Sequence, residues 1–365
     1  MNTRRDVLRN GAAAAGAVFC SCGLLRSAHA QQPVRQKLPV VVGGKRVKTI
    51  DVHAHCHFHE AGALIGADAS KLQLLPVNGG AEVFLSVEQR LAAMDAQAVD
   101  LEVLSINPFW YDRDRDLAQQ IVKVQNEKLA ALCASHPDRF AAFASLTLQA
   151  PDLAVKELEV AVKKQGLKGA AIGDVVNDME FSDPRLHPVW AKAEELGVPL
   201  FIHPQGIPEL NKRLTGNGWL GNTIGNPLST TIALSHLIFE GTFDRFPGLR
   251  VIAAHGGGYL PSYADRSDHA CLVGPKMCRT DVNLKKKPTE YLRNIYFDSL
   301  IFEPDAIRHL VAQVGASQVV LGSDYPYPWE LHPVEPILAT TSLSDDEKAD
   351  ILGRTAAKLL NVRTD

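Results

Sequence analysis

Two histidines, His53 and His55, flank a single alanine at the end of an apolar run. If that run is a strand, positions i and i+2 share a face. Both imidazoles can then reach one metal ion, at about 2.0–2.1 Å per Zn–N bond. His203 ends a second apolar run, and Asp324 follows a third. Another histidine, His255, opens the triplet Gly256, Gly257 and Gly258 after a fourth. Taken singly, each has an ordinary reading: a wet strand face, a hydrogen-bonded core histidine, a turn cap. Their shared place at strand ends joins them. In a (β/α)₈ barrel the C-terminal strand ends converge on one face, and that face carries the active site. Three imidazoles and one carboxylate suit a divalent transition metal with a position left open for chemistry. The constellation reads as a metal-dependent enzyme, with His255 beside the metal.

The rest of the chain has the elements such a site needs. Short apolar runs at 47–52, 101–106, 140–144, 169–172, 198–202, 250–254, 294–298 and 318–321 read as strands. Helical spacing lies between them. Val87, Leu91 and Met94 share one helical face, and Leu153, Leu158 and Val162 another. Further helices are expected over 115–135, 186–196, 229–240, 304–314 and 344–360. Eight strands alternating with helices indicate a parallel α/β architecture and match barrel closure. A doubly wound sheet competes, but no glycine-rich dinucleotide turn follows the first strand. Three segments break the rhythm: 56–85, 205–227 and the basic stretch 274–288. Loops this long in a compact domain serve a function or are disordered. The first two follow strand C-termini and would wall or cover the barrel mouth. Trp110, Tyr111, Trp219 and Tyr325 lie after strands or in those loops, where they could stack on a planar acid.

Composition sets the boundaries. The chain has 365 residues, 46% hydrophobic, with a formal charge of −3. A large core is available, and no basic stripe with interleaved aromatics points to nucleic acid. Residues 1–30 read as a twin-arginine export signal: Arg4 and Arg5, an alanine-rich apolar stretch, and Ala28-His29-Ala30 as the cleavage site. The apolar stretch is too short to span a bilayer, which needs about 20 residues. No stable membrane anchor is therefore expected. Residues 31–46 read as a linker and 47–365 as the barrel domain. Export through the Tat machinery would place the mature protein in the periplasm. Cys56, Cys133, Cys271 and Cys278 remain in it. Cys271 and Cys278 are nearest in sequence, but spacing alone does not establish a disulfide.

Four segments together resemble a known family: IDVHAH at 50–55, LFIHP at 200–204, AHGGG at 254–258 and LGSDYP at 321–326. They are similar to the amidohydrolase-related metal-dependent hydrolases, above all the aminocarboxymuconate-semialdehyde decarboxylase group. Met94-Asp95, HPDRF at 136–140, 150–157 and FDRFP at 243–247 extend the likeness over about 47–362. The resemblance implies a TIM-like barrel in which His53, His55, His203 and Asp324 hold one divalent ion, Zn²⁺ or alternatively Mn²⁺. It makes His255 the general acid/base. It also implies a homodimer, in which Arg266 reaches the neighbouring subunit's site to grip a substrate carboxylate. Arg90 is a weaker candidate for that task. Binuclear relatives carry a bridging lysine at the end of the fourth strand. Here that end is Ala170 to Asp174, and Lys168 lies at the other end, which favours a single ion.

The expected activity is nonoxidative decarboxylation of an aromatic or muconate-like carboxylic acid, with Trp110, Trp219 and Arg266 contacting the substrate. Hydrolysis of a lactone, amide or related bond is the alternative, since it would use the same ion and His255. An exported binding protein without turnover is a third reading, and His255 argues against it.

Overall fold

The structure, a computed structural model, describes residues 39–66, 84, 86–278 and 281–363. The export signal at 1–30 and the start of the expected linker lie outside the described residues. The rest of that linker is ordered: β1 (Val41–Val42) and β2 (Lys45–Arg46) pair as an antiparallel hairpin.

Eight parallel strands follow among the described residues. They are β3 (Ile50–His55), β4 (Leu101–Ser105), β5 (Phe140–Ala142), β6 (Ala170–Ile172), β7 (Pro199–Ile202), β8 (Arg250–Ala253), β9 (Ile295–Asp298) and β10 (Val319–Val320). Strands β3, β4 and β5 form one continuous ladder, and β6 to β10 form another. Two parallel bridges, Ala54 with Tyr325 and Ala144 with Ala170, join the ladders at both edges. The sheet thus closes into the expected (β/α)₈ barrel.

Its interior is filled by residues of alternating position: Ile50 and Val52, Leu101 and Val103, Ala141 and Phe143, with Phe201, Ile252 and Val320. Phe143 and Phe201 stack there with centroids 5.7 Å apart. A separate cluster fills the space between sheet and helices. Each fully buried Leu, Ile, Val or Phe contributes about 1.5–3 kcal/mol to folding.

Helix starts follow from their caps. The Asp114 side chain accepts from the backbone N–H groups of Asp116 and Leu117, and the helix Arg115–Ser135 begins there. Gly197 closes the helix His187–Leu196 in a left-handed conformation. The expected continuous helix over 344–360 is instead interrupted by a π-turn at Asp350–Arg354. Gly353 explains the departure: a Cβ there would lie 1.9 Å from the Lys48 carbonyl oxygen, so the helix approaches the barrel floor backbone to backbone.

Cys271 and Cys278 form a disulfide with Cα atoms 5.7 Å apart, which closes the end of the helix Ala264–Val273. Among the described residues, no helix is long and apolar enough to cross a membrane.

Candidate metal centre

A local irregularity in β3 aims the two first histidines. Ile50 and Val52 point into the barrel interior, so simple alternation would send position 53 outward. The register between β3 and β4 shifts between Asp51 and Ala54. This irregularity re-aims the strand. His53 and His55 then face the mouth together, above Phe201, whose ring centroid lies 5.0 Å from that of His53.

Four side chains converge there. His53, His55, His203 and Asp324 each offer one ligand atom, all within 4.8 Å of one another, and all four residues are buried. His53 Nε2 lies 3.1 Å from His55 Nε2. The Asp324 carboxylate is 3.1 Å from His53 Nε2 and 2.8 Å from His55 Nε2. Among the described residues, neither ring nitrogen of His203 has a hydrogen-bond partner. Buried polar atoms are normally paired, so nitrogens aimed into a carboxylate-bearing cluster fit a cation as their missing partner. A three-imidazole, one-carboxylate donor set is also chemically apt for one divalent metal.

Burial and the neighbouring carboxylates act differently on the individual members of the cluster. Burial opposes charge on His53, but Asp324 and Asp298 outweigh it and push its pKa up to about 10. Burial would likewise raise Asp324, yet His53, His255 and His55 hold it well below the usual carboxylate range. His203 is driven well below the ordinary imidazole value by burial, then by His55, His53 and His255. A neutral imidazole is the form that ligates, so His203 is ready as it stands, whereas His53 would give up a proton to an incoming cation.

His255 stands at the rim of this cluster. Its Nε2 lies 3.6 Å from the Asp324 carboxylate, and its side chain is 18% exposed toward the cavity. Both His255 and Asp324 have left-handed backbones, with φ of 55° and 64°. His and Asp are among the residues that tolerate this region. Glycines that follow such a residue can admit substrate or a close backbone. Gly258 does the second: a Cβ there would sit 2.1 Å from the Pro227 carbonyl oxygen.

Asp298 ties the two parts together, although its residue type alone did not single it out in the sequence. Its carboxylate is 2.6 Å from His53 Nδ1. It also accepts from the backbone N–H groups of His255 at 2.9 Å and Gly256 at 2.8 Å. One buried group thus fixes the orientation of His53 and the backbone of His255. Its place at the end of β9, matching that of the other site residues, was the available signal. Gly322 makes room for it, since a Cβ there would meet Asp298 Cβ at 2.8 Å. Asp51 gives similar support: it accepts from the His53 N–H at 2.9 Å and from the Ser323 hydroxyl, which immediately precedes Asp324.

Asp298→Asn supplies a direct test of this arrangement. The amide oxygen can still accept from Gly256 and Leu300, but the NH₂ would stand where one oxygen now meets both His53 Nδ1 and the His255 N–H. That favours the tautomer with the proton on Nε2, the nitrogen aimed at the cluster. The metal affinity is expected to fall roughly 10–100-fold, measured by competition against a chelator. An unchanged affinity would remove Asp298 from this role.

A cavity of about 720 Å³ opens above the cluster, lined by His55, His57, His203, His255 and Asp324 at its base. Amides ring its wall, among them Asn107, Gln205 and Asn222. His57, just past β3, is 4% exposed and faces this cavity. Burial, then His59, lowers its pKa to about 4.

The other substrate candidates divide. Trp219 lines the cavity, and so does Tyr111. Trp110 does not: it is fully buried, and its indole N–H donates to the Leu146 carbonyl at 2.9 Å. The correction has a simple cause, because a buried indole needs one acceptor and the core provides it. Arg90 is also buried, paired with Glu102 at 2.7 Å and donating to the His55 carbonyl. It braces the back of the site and does not line the cavity. Arg266 is exposed on the helix Ala264–Val273, away from the cavity of its own chain. Lys168 is remote from the cluster, reaching the Asn361 carbonyl at 3.4 Å.

Comparison with known proteins supplies independent findings. A family model described as Amidohydrolase matches residues 50–362. A 2-amino-3-carboxymuconate-6-semialdehyde decarboxylase of Dictyostelium discoideum is 33% identical over 276 residues, covering 75% of this chain and 76% of the relative. A gamma-resorcylate decarboxylase of Rhizobium radiobacter is 30% identical over 285 residues, covering 75% and 86%. The crystal structure of a dihydroxybenzoic acid decarboxylase from Polaromonas sp. JS666, with bound manganese and the inhibitor 2-nitroresorcinol, matches with a TM-score of 0.72. It is 25% identical and covers 86% of this chain and 97% of its own.

Proposed function

This chain belongs to the amidohydrolase family, and from that premise we infer that it is a metal-dependent, nonoxidative carboxy-lyase of an aromatic or muconate-like carboxylic acid. The observation that carries the reading is the buried cluster of His53, His55, His203 and Asp324 at the floor of a cavity, with His255 at its rim.

His53, His55, His203 and Asp324 would hold one divalent ion, which when bound supplies Lewis acidity toward substrate oxygens and stabilises developing negative charge. Zn²⁺ suits this donor set, and the manganese in the similar decarboxylase supports Mn²⁺ as the alternative. The remaining work falls to the chain's own groups. In the reaction the bond between ring or chain carbon and carboxylate breaks, carbon dioxide leaves, and the electron pair left behind takes a proton. His255 is the group placed to hold that proton and deliver it to carbon. Asp298 fixes the His255 backbone, so the imidazole needs little reorganisation. The amide-lined wall orients neutral oxygens of the substrate, and Trp219 offers an aromatic face at the mouth.

Two further parts of the reading are our own. The first is a homodimer in which the exposed Arg266 grips a substrate carboxylate in the neighbouring subunit; guanidinium matches carboxylate bidentately. The second is twin-arginine export to the periplasm with cleavage near Ala30. The Cys271–Cys278 disulfide supports it, since such bonds persist in oxidising compartments.

A panel of hydroxybenzoates, muconates and lactones, offered to metal-replete protein, tests the activity. Carbon dioxide should be released from at least one acid, with no net uptake of water into the product. Water addition without carbon dioxide would make the protein a hydrolase.

A further inference from the structure

The cavity mouth carries an aromatic arrangement that the metal cluster does not require. Trp219 and Trp329 stack on each other, with ring centroids 5.3 Å apart and planes inclined by 13°. Both line the cavity. Phe302 stands beside them, 6.4 Å from Trp329. The three rings come from the loops after β7, β10 and β9. They are not core residues: Trp219 is 49% exposed and Phe302 43% exposed.

Their backbones are unusual as well. Trp219 has φ 50° and Phe302 φ 69°. A bulky residue in the left-handed region is a genuine outlier, and such strain collects at binding sites and clamps. Folding gains little from large exposed rings held this way. A ligand that uses their faces gives the arrangement a purpose.

Both tryptophans are also held in place by ordered backbone, and Trp329 is tied to the metal cluster. Trp329 follows Asp324 on one short turn, pinned where the Tyr327 N–H donates to the Asp324 carbonyl at 2.9 Å. The Tyr327 ring lies 5.6 Å from His55. Trp219 follows His203 on the next loop. Its carbonyl accepts from Asn222 at 2.9 Å and Thr223 at 3.0 Å. That contact opens the π-turn Gly221–Gly225, which runs directly into the helix Asn226–Phe239. Isolated π-turns of this kind are frequent at functional sites.

We propose that Trp219 and Trp329 form a clamp that selects flat acids, with Trp329 a specificity-determining residue. The inference rests on the reading of the cavity as a carboxylic-acid site. A planar, unsaturated ring would stack against the paired indoles while its carboxylate points down to the cluster. A saturated ring of equal charge and similar size is puckered and cannot match an indole face. Stacked aromatic pairs prefer offset parallel geometry and gain energy beyond their buried area.

Benzoate and cyclohexanecarboxylate form the probe pair. Their binding to the metal-loaded protein is measured by calorimetry for wild type, Trp329→Leu, Trp219→Leu and Trp329→Phe. Wild type should prefer benzoate. Each Leu variant should lose roughly 3–10-fold in benzoate binding, with cyclohexanecarboxylate changed by less than about twofold. Trp329→Phe keeps a ring and should retain the preference. It also guards against a Leu variant that fails to fold, and metal content is checked in each protein. A wild type that does not distinguish the acids overturns the clamp, as does equal weakening of both acids in the Leu variants. If the preference holds but no acid releases carbon dioxide, the decarboxylase reading falls and the clamp stands. If carbon dioxide is released and the preference is absent, the clamp falls alone.

Discussion

Replacing His203 or Asp324 by Ala is expected to strip most of the metal from the protein and abolish measurable turnover. Each residue would supply one of four donors in a buried cluster. Losing a group that merely supports a ligand typically costs roughly 10–100-fold in affinity, so losing a donor should cost more. The two variants differ instructively. Among the described residues His203 has no hydrogen-bond partner for either ring nitrogen, so its removal breaks no other described interaction of the ring's polar atoms. Its fold should survive with metal lost. Asp324 also counters the charge on His53, and its removal takes away the strongest interaction that holds that proton. Asp324→Asn keeps the volume and removes the charge, and it separates lost charge from a hole in the structure. Metal per chain is measured alongside carbon dioxide release. Full occupancy in both Ala variants would reject the donor assignment. Two ions per wild-type chain would reject the single-ion reading.

Much of this site was legible because its chemistry sits where periodicity is strongest. The apolar runs at 101–106, 198–202 and 250–254 differ from the observed strands by a residue at most at either end. His203, His255 and Asp324 stand just past strands because the apolar pattern stops there. The elements that were not legible depend on backbone geometry. Nothing in the pattern of residues 50–55 announces the shift between Asp51 and Ala54. Without it Val52 and His53 could not both face inward. The π-turn at Asp350–Arg354 arises from the close approach of Gly353 to Lys48, two residues some three hundred positions apart. Tertiary contacts of that range leave no local signature. Trp110 failed for a related reason: its place after a strand suggested the mouth, but the Leu146 carbonyl draws its indole into the core. Asp298 ends β9 among the same strand ends, yet a lone carboxylate there reads as a cap until its four partners are seen.

His255→Ala and His255→Asn should keep the metal and lose turnover, and the pair together separates two effects. The first is loss of the imidazole, the only role at stake if His255 delivers the proton. General acid–base assistance is typically worth about 10²–10⁴-fold, and both variants should lose that much turnover or more. The second effect is conformational. His255 has φ 55°, a region that Ala adopts at a cost of roughly 1–2 kcal/mol and Asn tolerates more readily. Alanine could therefore disturb the backbone N–H bonds that residues 255 and 256 make to Asp298. Because Asp298 also holds His53, that disturbance could spread to the metal in the Ala variant alone. The Asn variant keeps the turn, so its turnover reports the imidazole itself. Metal per chain and rate are measured on the same preparations. Near-normal turnover in His255→Asn would eliminate the proton-transfer role. Metal loss in both variants would make His255 a ligand. Metal loss in Ala alone, with low turnover and full metal in Asn, is the outcome expected if the strain is large enough to reach His53.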